Sequence, residues 1–534
     1  RPSPGRVNAW RTFGTLLRTA GAARQMREDG AALLAYHRRT ALRPGATRLA
    51  VESWNRPRPF KLYEGLESLP LPHVAAPAAS MTPLAGEPKF DLPTLAALLH
   101  WSAGVTRRRR LTDGSVMQFR AASCTGALYH VEVYVVCAGL PGLPAGVYHY
   151  APQNETLRRL RRGDLRAQLV DACGGDAALA EAPMAVVLTS EFWRNAWRYG
   201  ERTYRHAFWD AGTILANLLA LAAADGLPAR VLTAFDDAAV NTIIAVDGVS
   251  EAALAVVALG SGAPVGQAPA ALETIAPRVV PSSPRTRTLP GIAAAHAASA
   301  LAGAASIARW RETIGAFATQ PAMPASRAIS LPNASKSDEP VEAIIARRGS
   351  ARRFAEEQIS MVALSAVCRA AAAVIDGDAW PDGGRLCDVL LVAGAIAGIA
   401  PGVHRLRSGA ALALLAEGDL RESVAKLVPD AARTRAAATI WWTADLEPGL
   451  QQPGGRGYRV AQLEAGTALG RVYLAATAAG LGVTGLTFFD EEAARFVASW
   501  APGRSAVLAA TVGIAAGPSY PRPLHRKRGG MCWL

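Results

Sequence analysis

One register runs through this chain twice. Tyr204, Arg205, Asp210, Gly212 and Thr213 recur as Tyr458, Arg459, Glu464, Gly466 and Thr467, at a constant offset of 254. The match continues without a gap from Leu232–Asp237 into Leu486–Glu491. Upstream, Gly163–Arg166 matches Gly418–Arg421 and Gly126–Leu128 matches Gly384–Leu386, in the same order. Chance does not produce so many ordered agreements, so the chain must fold as two copies of one domain. A fold that works as a symmetric dimer can be fused into one chain, which keeps the two-fold interface and frees each half to diverge. Such an interface is a usual place for a cofactor pocket.

The alternation of strand-like and helical stretches makes each copy an α+β domain. Residues 127–136 read as a strand, 146–150 and 156–160 as a hairpin, and 184–189 and 252–259 as further strands. Residues 204–225 read as a long apolar helix. The expected division is an arm of helical and extended segments over 1–91, domain one over 92–261, a Pro-rich linker over 262–340, and domain two over 341–534. Within the arm, residues 8–45 look helical and end in the basic patch His37–Thr40; within the linker, about 290–317 does.

The net charge of +14 favours anionic partners, yet the arginines are scattered among Ala-rich helices without an extended Lys/Arg tract. Nothing supports nucleic-acid binding. Six cysteines lie far apart without metal-ligand spacing, which points to reduced thiols in a cytoplasmic protein and to no metal. The first residues, Arg, Pro, Ser and Pro, show no signal peptide. No uninterrupted apolar run approaches the roughly 20 residues that span a bilayer, so no membrane partner is expected.

The chemistry concentrates at Arg347–Phe354. Four guanidinium groups, a hydroxyl and a glycine follow an apolar run, Val341–Ala346, that reads as a helix. Arginine offers phosphate a planar fork of donors, and glycine lets backbone N–H groups approach the same anion. The bland reading is a solvated basic helix end; the sharper one is a phosphate clamp.

Taken together, the Arg347–Arg352 motif, the turn Arg120–Tyr129, the run Leu143–Tyr150, the stretch Trp197–Arg205 and the Gly480–Gly482 strand entry resemble the nitroreductase-like flavin enzymes. Within them, the chain is similar to the SagB-type dehydrogenases that oxidise azoline rings in ribosomally made peptides. The likeness covers about 92–260 and 341–523. It implies a central antiparallel sheet wrapped by helices, with FMN bound across a dimer interface.

The resemblance assigns cofactor roles unequally to the two halves. Domain two supplies Arg347, Arg348, Ser350 and Arg352 for the phosphate, Gly482, Val483, Thr484 and Gly485 near the ring, and the basic tail residues Arg522 and Arg526. Domain one supplies the turn Ser123, Cys124, Thr125 and Gly126. The opposite pairing is poor: the clamp position of domain one falls on Ser80–Gly86, without arginine, and the turn of domain two carries Asp382. The expectation is therefore one FMN per chain, with the patch Arg38-Arg39 able to rescue a second site.

Azoline oxidases carry a Lys-Tyr pair ahead of the Tyr-Arg helix start; here it reads Arg198-Tyr199. Arginine keeps its proton and cannot act as a base, so the departure either counts against azoline oxidation or shifts the base role to Tyr199, with Arg198 orienting substrate or stabilising a phenolate; the other reading of Tyr199 is a plain interface tyrosine. His206 is a candidate proton donor or a surface cap, and Trp193, Trp197 and Trp209 are pocket walls or core. The implied function is a flavin dehydrogenase tailoring a peptide-derived product, acting on a peptide or small molecule, with biosynthetic partner proteins and scope for further oligomerisation of the pseudo-dimer. The alternatives are an NAD(P)H-dependent nitro or quinone reductase and a non-catalytic peptide-binding scaffold.

Overall fold

The computed structural model describes residues 24–46, 51–77, 90–110, 114–266, 272–318, 328–334, 337–407, 411–446 and 454–517. The arm gives helix α1 (24–39) and strand β1 (Ser68–Pro70). Domain one follows as α2 (Leu92–Ala103), β2 (Val105–Arg110), β3 (Val116–Arg120), β4 (Val131–Cys137), β5 (Gly146–Ala151) and β6 (Thr156–Arg162). It continues with α3 (Arg166–Ala172), α4 (Ala177–Glu181), β7 (Met184–Glu191), α5 (Phe192–Tyr199), α6 (Thr203–Ala224), β8 (Ala229–Leu232), α7 (Asp237–Ile243) and β9 (Glu251–Leu259). The linker holds α8 (Pro290–Ala297), α9 (Gly303–Ala318) and β10 (Ala328–Ser330).

Domain two repeats the order: α10 (Val341–Arg347), α11 (Met361–Ala371), β11 (Cys387–Ala393), β12 (Gly402–Arg407), β13 (Ala411–Glu417), α12 (Arg421–Ala425) and β14 (Ala438–Ala444). It ends with α13 (Gly454–Ala478), β15 (Gly482–Leu486), α14 (Asp490–Ala498) and β16 (Ser505–Gly513). The two sheets have the same antiparallel order, β1-β6-β5-β4-β7-β9-β8 and β10-β13-β12-β11-β14-β16-β15. Each sheet thus borrows one three-residue edge strand from the segment ahead of its domain, Ser68–Pro70 on β6 and Ala328–Ser330 on β13.

Helices α6 and α13 meet at the centre, where the repeat is most exact. A Cβ on Gly212 would lie 2.4 Å from the Thr467 nitrogen, and one on Gly466 would lie 2.6 Å from the Trp209 Cα. Only glycine on both helices lets the backbones touch, which explains why this residue recurs in both copies. The continuous helical stretch Phe192–Ala224 is long and apolar enough to cross a membrane, but 78% of its apolar window is buried. It is the core helix of a domain, apolar over that window because the rest of the protein covers it.

Two crossed sets of buried charges fasten the halves together. In one, Asp490 of domain two accepts from Arg202 Nη1 (2.6 Å) and Arg205 Nη1 (2.5 Å) of domain one, and from the Leu42 nitrogen of the arm (2.7 Å). In the other, Asp237 of domain one accepts from Arg456 Nη2 (2.5 Å) and Arg459 Nη1 (2.6 Å) of domain two. The repeated arginine at 205 and 459 therefore anchors the interface. The basic patch of the arm serves the same junction: His37 O accepts from Arg205, and Arg39 pairs with Glu201.

Candidate functional site

The turn ahead of β4 is the strained element of domain one. Gly126, Ala127 and Tyr129 all adopt positive φ, at 63°, 52° and 49°. Two of these are not glycine, so the surroundings must hold them. Asp210 on α6 does so, accepting from the Thr125 nitrogen and hydroxyl at 2.9 Å, from Cys124 Sγ at 3.1 Å and from His130 Nε2 at 3.0 Å. Its counterpart Glu464 accepts from the Leu386 and Cys387 nitrogens, both at 2.9 Å, and from Trp380 Nε1 at 2.7 Å. The repeated carboxylate is thus the organiser of each turn. The expected strand over 127–136 is corrected accordingly: its first part is this turn, and β4 begins at Val131. A narrow cavity here is lined by Arg120, Ser123, Cys124, Tyr129, Asp210 and Ile214.

The arginine motif of domain two runs along the free edge of β15. Ser350 bridges Val483 in parallel, and the Ala351 nitrogen donates to Val483 O at 2.8 Å. Tyr473 of α13 ties the two segments further, its hydroxyl 2.9 Å from Ser350 Oγ and accepting from the Gly485 nitrogen at 3.0 Å. Gly482 lies tight against this run, where a Cβ would come within 2.9 Å of Ala351 and Ala515; Thr484 is buried beside it.

Arg348 joins this edge to the turn of domain one. Its Nε donates to Ala121 O at 3.1 Å, two residues before Ser123, while its guanidinium lies 5.4 Å from the Tyr473 ring centroid. Arg352 follows Ala351 on the same run and is half-buried. Among the described residues, neither Arg348 nor Arg352 forms an ion pair, and the buried Arg120 Nε has no partner. Two arginines on one run without an ion-pair partner among the described residues suit a phosphate-bearing group. Arg347 is exposed and paired with Glu339. Arg522 and Arg526 lie outside the described residues.

Arg198 and Tyr199 end α5 beside the turn; a Cβ on Gly126 would sit 2.6 Å from the Tyr199 hydroxyl. Burial pushes that hydroxyl above its ordinary value, and Arg198, whose guanidinium lies 5.6 Å from the ring, pulls the other way. His206 packs edge-on against Tyr199 at 4.8 Å and bonds Asn195 Oδ1 through Nδ1. It is buried rather than a surface cap, and burial, with Arg202 and His130 beside it, holds it neutral. Burial and then Asp210 push the Cys124 thiol far up, so it is not a thiolate. Trp193 and Trp209 are buried, with indole N–H groups bonded to Ser283 and Gln462; half-buried Trp197 donates to Glu52 O.

The pseudo-symmetric position is built differently. The edge of β8 is taken by domain two: the Val231 nitrogen donates to Asp376 O (2.9 Å), and Asp378 accepts from the Thr233 and Ala234 nitrogens (2.8 and 2.9 Å). Gly377 passes so close that a Cβ would meet Val231 O at 2.4 Å. The adjoining cleft, about 480 Å³, presents Asp376, Asp378 and Asp382 against Arg230. Ser80–Gly86 lies outside the described residues.

Comparison with known proteins accords with this architecture. The Nitroreductase family model matches residues 88–261 and 345–514. The crystal structure of a protein described as a nitroreductase from Anabaena variabilis ATCC 29413 superposes with a TM-score of 0.72 at 25% identity, covering 90% of this chain and 99% of that one. A protein described as a nitroreductase in Methanocaldococcus jannaschii is 26% identical over 155 residues, 29% of this chain and 74% of that protein. Trifolitoxin-processing protein TfxB of Rhizobium leguminosarum bv. trifolii is 27% identical over 177 residues, 32% of this chain and 47% of that protein. The family model falls once on each sheet-and-helix unit, with the crossed arginines between them, and the chain accordingly belongs to the nitroreductase family as two fused copies of its domain.

Proposed function

We propose that this chain is an FMN-dependent oxidoreductase that holds one FMN between the arginine motif of domain two and the turn of domain one, and works as a dehydrogenase on a peptide-derived substrate. The observation that carries this reading is the Arg348–Ala121 bond, which brings a cationic motif and a strained turn from opposite halves to one cleft. Bound there, FMN supplies the hydride acceptor. Arg348, Arg352 and Ser350 take its phosphate, with Arg347, Arg522 and Arg526 as further cations. Gly482–Gly485 and Ser123–Gly126 flank the ring. The count of one rests on β8, whose edge is already bonded by Asp376–Asp378 beside carboxylates that repel phosphate. The likeness to TfxB, whose name ties that protein to trifolitoxin processing, supports a peptide-derived substrate and biosynthetic partner proteins.

The visible spectrum of the purified protein, with its flavin-to-chain ratio, tests the proposal. A flavin band at a ratio of one is the expected result. A ratio of two would show that the β8 site also loads, and a colourless protein that takes up no FMN would favour a scaffold.

Tyr199 is the proton-handling group in this reading, with Arg198 steadying its charged form. Its raised pKa leaves only a small phenolate fraction near neutrality, so substrate oxidation should accelerate about tenfold per pH unit below that pKa. Tyr199→Phe should keep its flavin and lose both the turnover and the pH slope; a variant with the parent slope would remove Tyr199 from the chemistry. A proton-bearing phenol also suits the reducing direction, so steady turnover of a nitroaromatic with NADPH would favour the reductase reading.

A further inference from the structure

Hairpin β2–β3 has no counterpart in domain two, where the path from α11 to the turn, 372–380, contains no strand. It pairs with no other strand among the described residues. Its first strand carries four consecutive arginines, Arg107–Arg110, the densest run of charge in the chain. The register sets Arg108 opposite Gln118 and Arg110 opposite Val116, so these four share one face. Arg108, Arg110 and Val116 are exposed, and among the described residues neither arginine makes an ion pair. The other face is tied down beside the arginine motif: Arg107 Nη2 donates to Ala346 O at 2.8 Å, at the end of α10. The insertion therefore stands next to the composite site, whereas the corresponding segment of domain two, 372–380, is the one that closes the β8 edge.

We propose that the exposed face of β2–β3 docks an acidic, extended segment of the substrate peptide, Arg108 and Arg110 taking carboxylates from alternate residues. This rests on the peptide-substrate reading above. The spacing selects the occupant. Side chains two apart on a strand stand about 6.5 Å from each other in a row, which matches alternate residues of an extended peptide. The phosphate of a nicotinamide dinucleotide calls instead for guanidinium groups converging on one point.

The test uses the full, FMN-loaded chain and a fluorescent peptide of alternating Glu and Ser, followed by anisotropy at low and at physiological salt. Binding should weaken with salt, and the double variant Arg108→Ser/Arg110→Ser should bind about tenfold more weakly. Its flavin content and its turnover of a small uncharged substrate should match the parent. Equal affinity in parent and variant overturns the proposal, as does equal binding of a peptide with Gln for Glu. A variant that instead loses affinity for NADPH while binding the peptide normally would assign the face to the dinucleotide. Flavin stoichiometry, read in the same samples, separates failure of docking from failure of the flavin site.

Discussion

Asp490→Ala is expected to remove about 3–5 kcal/mol of stability, the range for stripping one partner from a buried ion pair. The carboxylate is buried and accepts from two arginines of the other domain and from the arm, so its loss strands Arg202 and Arg205 without a counter-charge. Denaturant unfolding reads the loss, and faster proteolysis at the linker should show that the junction is what opens. Arg205→Leu, which removes a charge as well as a bond, should cost less when combined with Asp490→Ala than the two separate costs predict. Additive costs would mean that the two residues do not act as a pair.

The same junction predicts acid sensitivity. Burial raises the Asp237 carboxyl, but Arg456 and Arg459 outweigh it and hold the group at about 2. Burial likewise opposes Asp490, and Arg205 and Arg202 keep it well below the usual carboxylate range. A carboxyl whose folded pKa is depressed contributes its full stability above the unfolded value of about 3.9 and loses it as pH falls through the folded value. Stability should therefore decline from about pH 4 towards pH 2, and the decline should be shallower in Asp490→Asn.

The duplication was legible because the residues that repeat are those the pseudo-two-fold axis needs. Gly212 and Gly466 touch across it, and Arg205 and Arg459 cross it to carboxylates. Asp210 and Glu464 were visible as repeated positions, but their task was not, since it depends on a turn whose positive φ values at Ala127 and Tyr129 leave no trace in an apolar run. Strands β1 and β10 are three residues long, too short for alternation to show. Tyr473 reads as one more aromatic on a buried helix face; only the fold reveals that its hydroxyl clasps Ser350 and Gly485. That domain one has no equivalent of the Arg347–Arg352 run, and that Asp382 stands in the turn of domain two, could be read from the residues. The closing of β8 by Asp376–Asp378 could not, because those residues meet β8 from more than a hundred positions away.

Arg348→Ala should weaken FMN binding more than any other single change at the cleft. The residue faces both halves, lacks a carboxylate partner among the described residues, and leaves its terminal nitrogens for the anion. A hydrogen bond to a charged group is worth about 1.5–3 kcal/mol, so losing one weakens binding about 10- to 150-fold. Titrating FMN into the stripped protein and following quenching of flavin fluorescence measures the shift. Arg348→Lys should recover part of it, since lysine restores the charge but not the planar fork. Arg353→Ala is the matched control: that side chain is exposed one residue past the motif and should leave affinity unchanged. The fold should survive Arg348→Ala, because its one backbone bond, to Ala121 O, is a small part of an interface held by buried arginine pairs and the α6–α13 crossing. If the alanine variant kept parental affinity while Arg230→Ala at the β8 cleft lost it, the flavin phosphate would belong to the opposite pairing of halves.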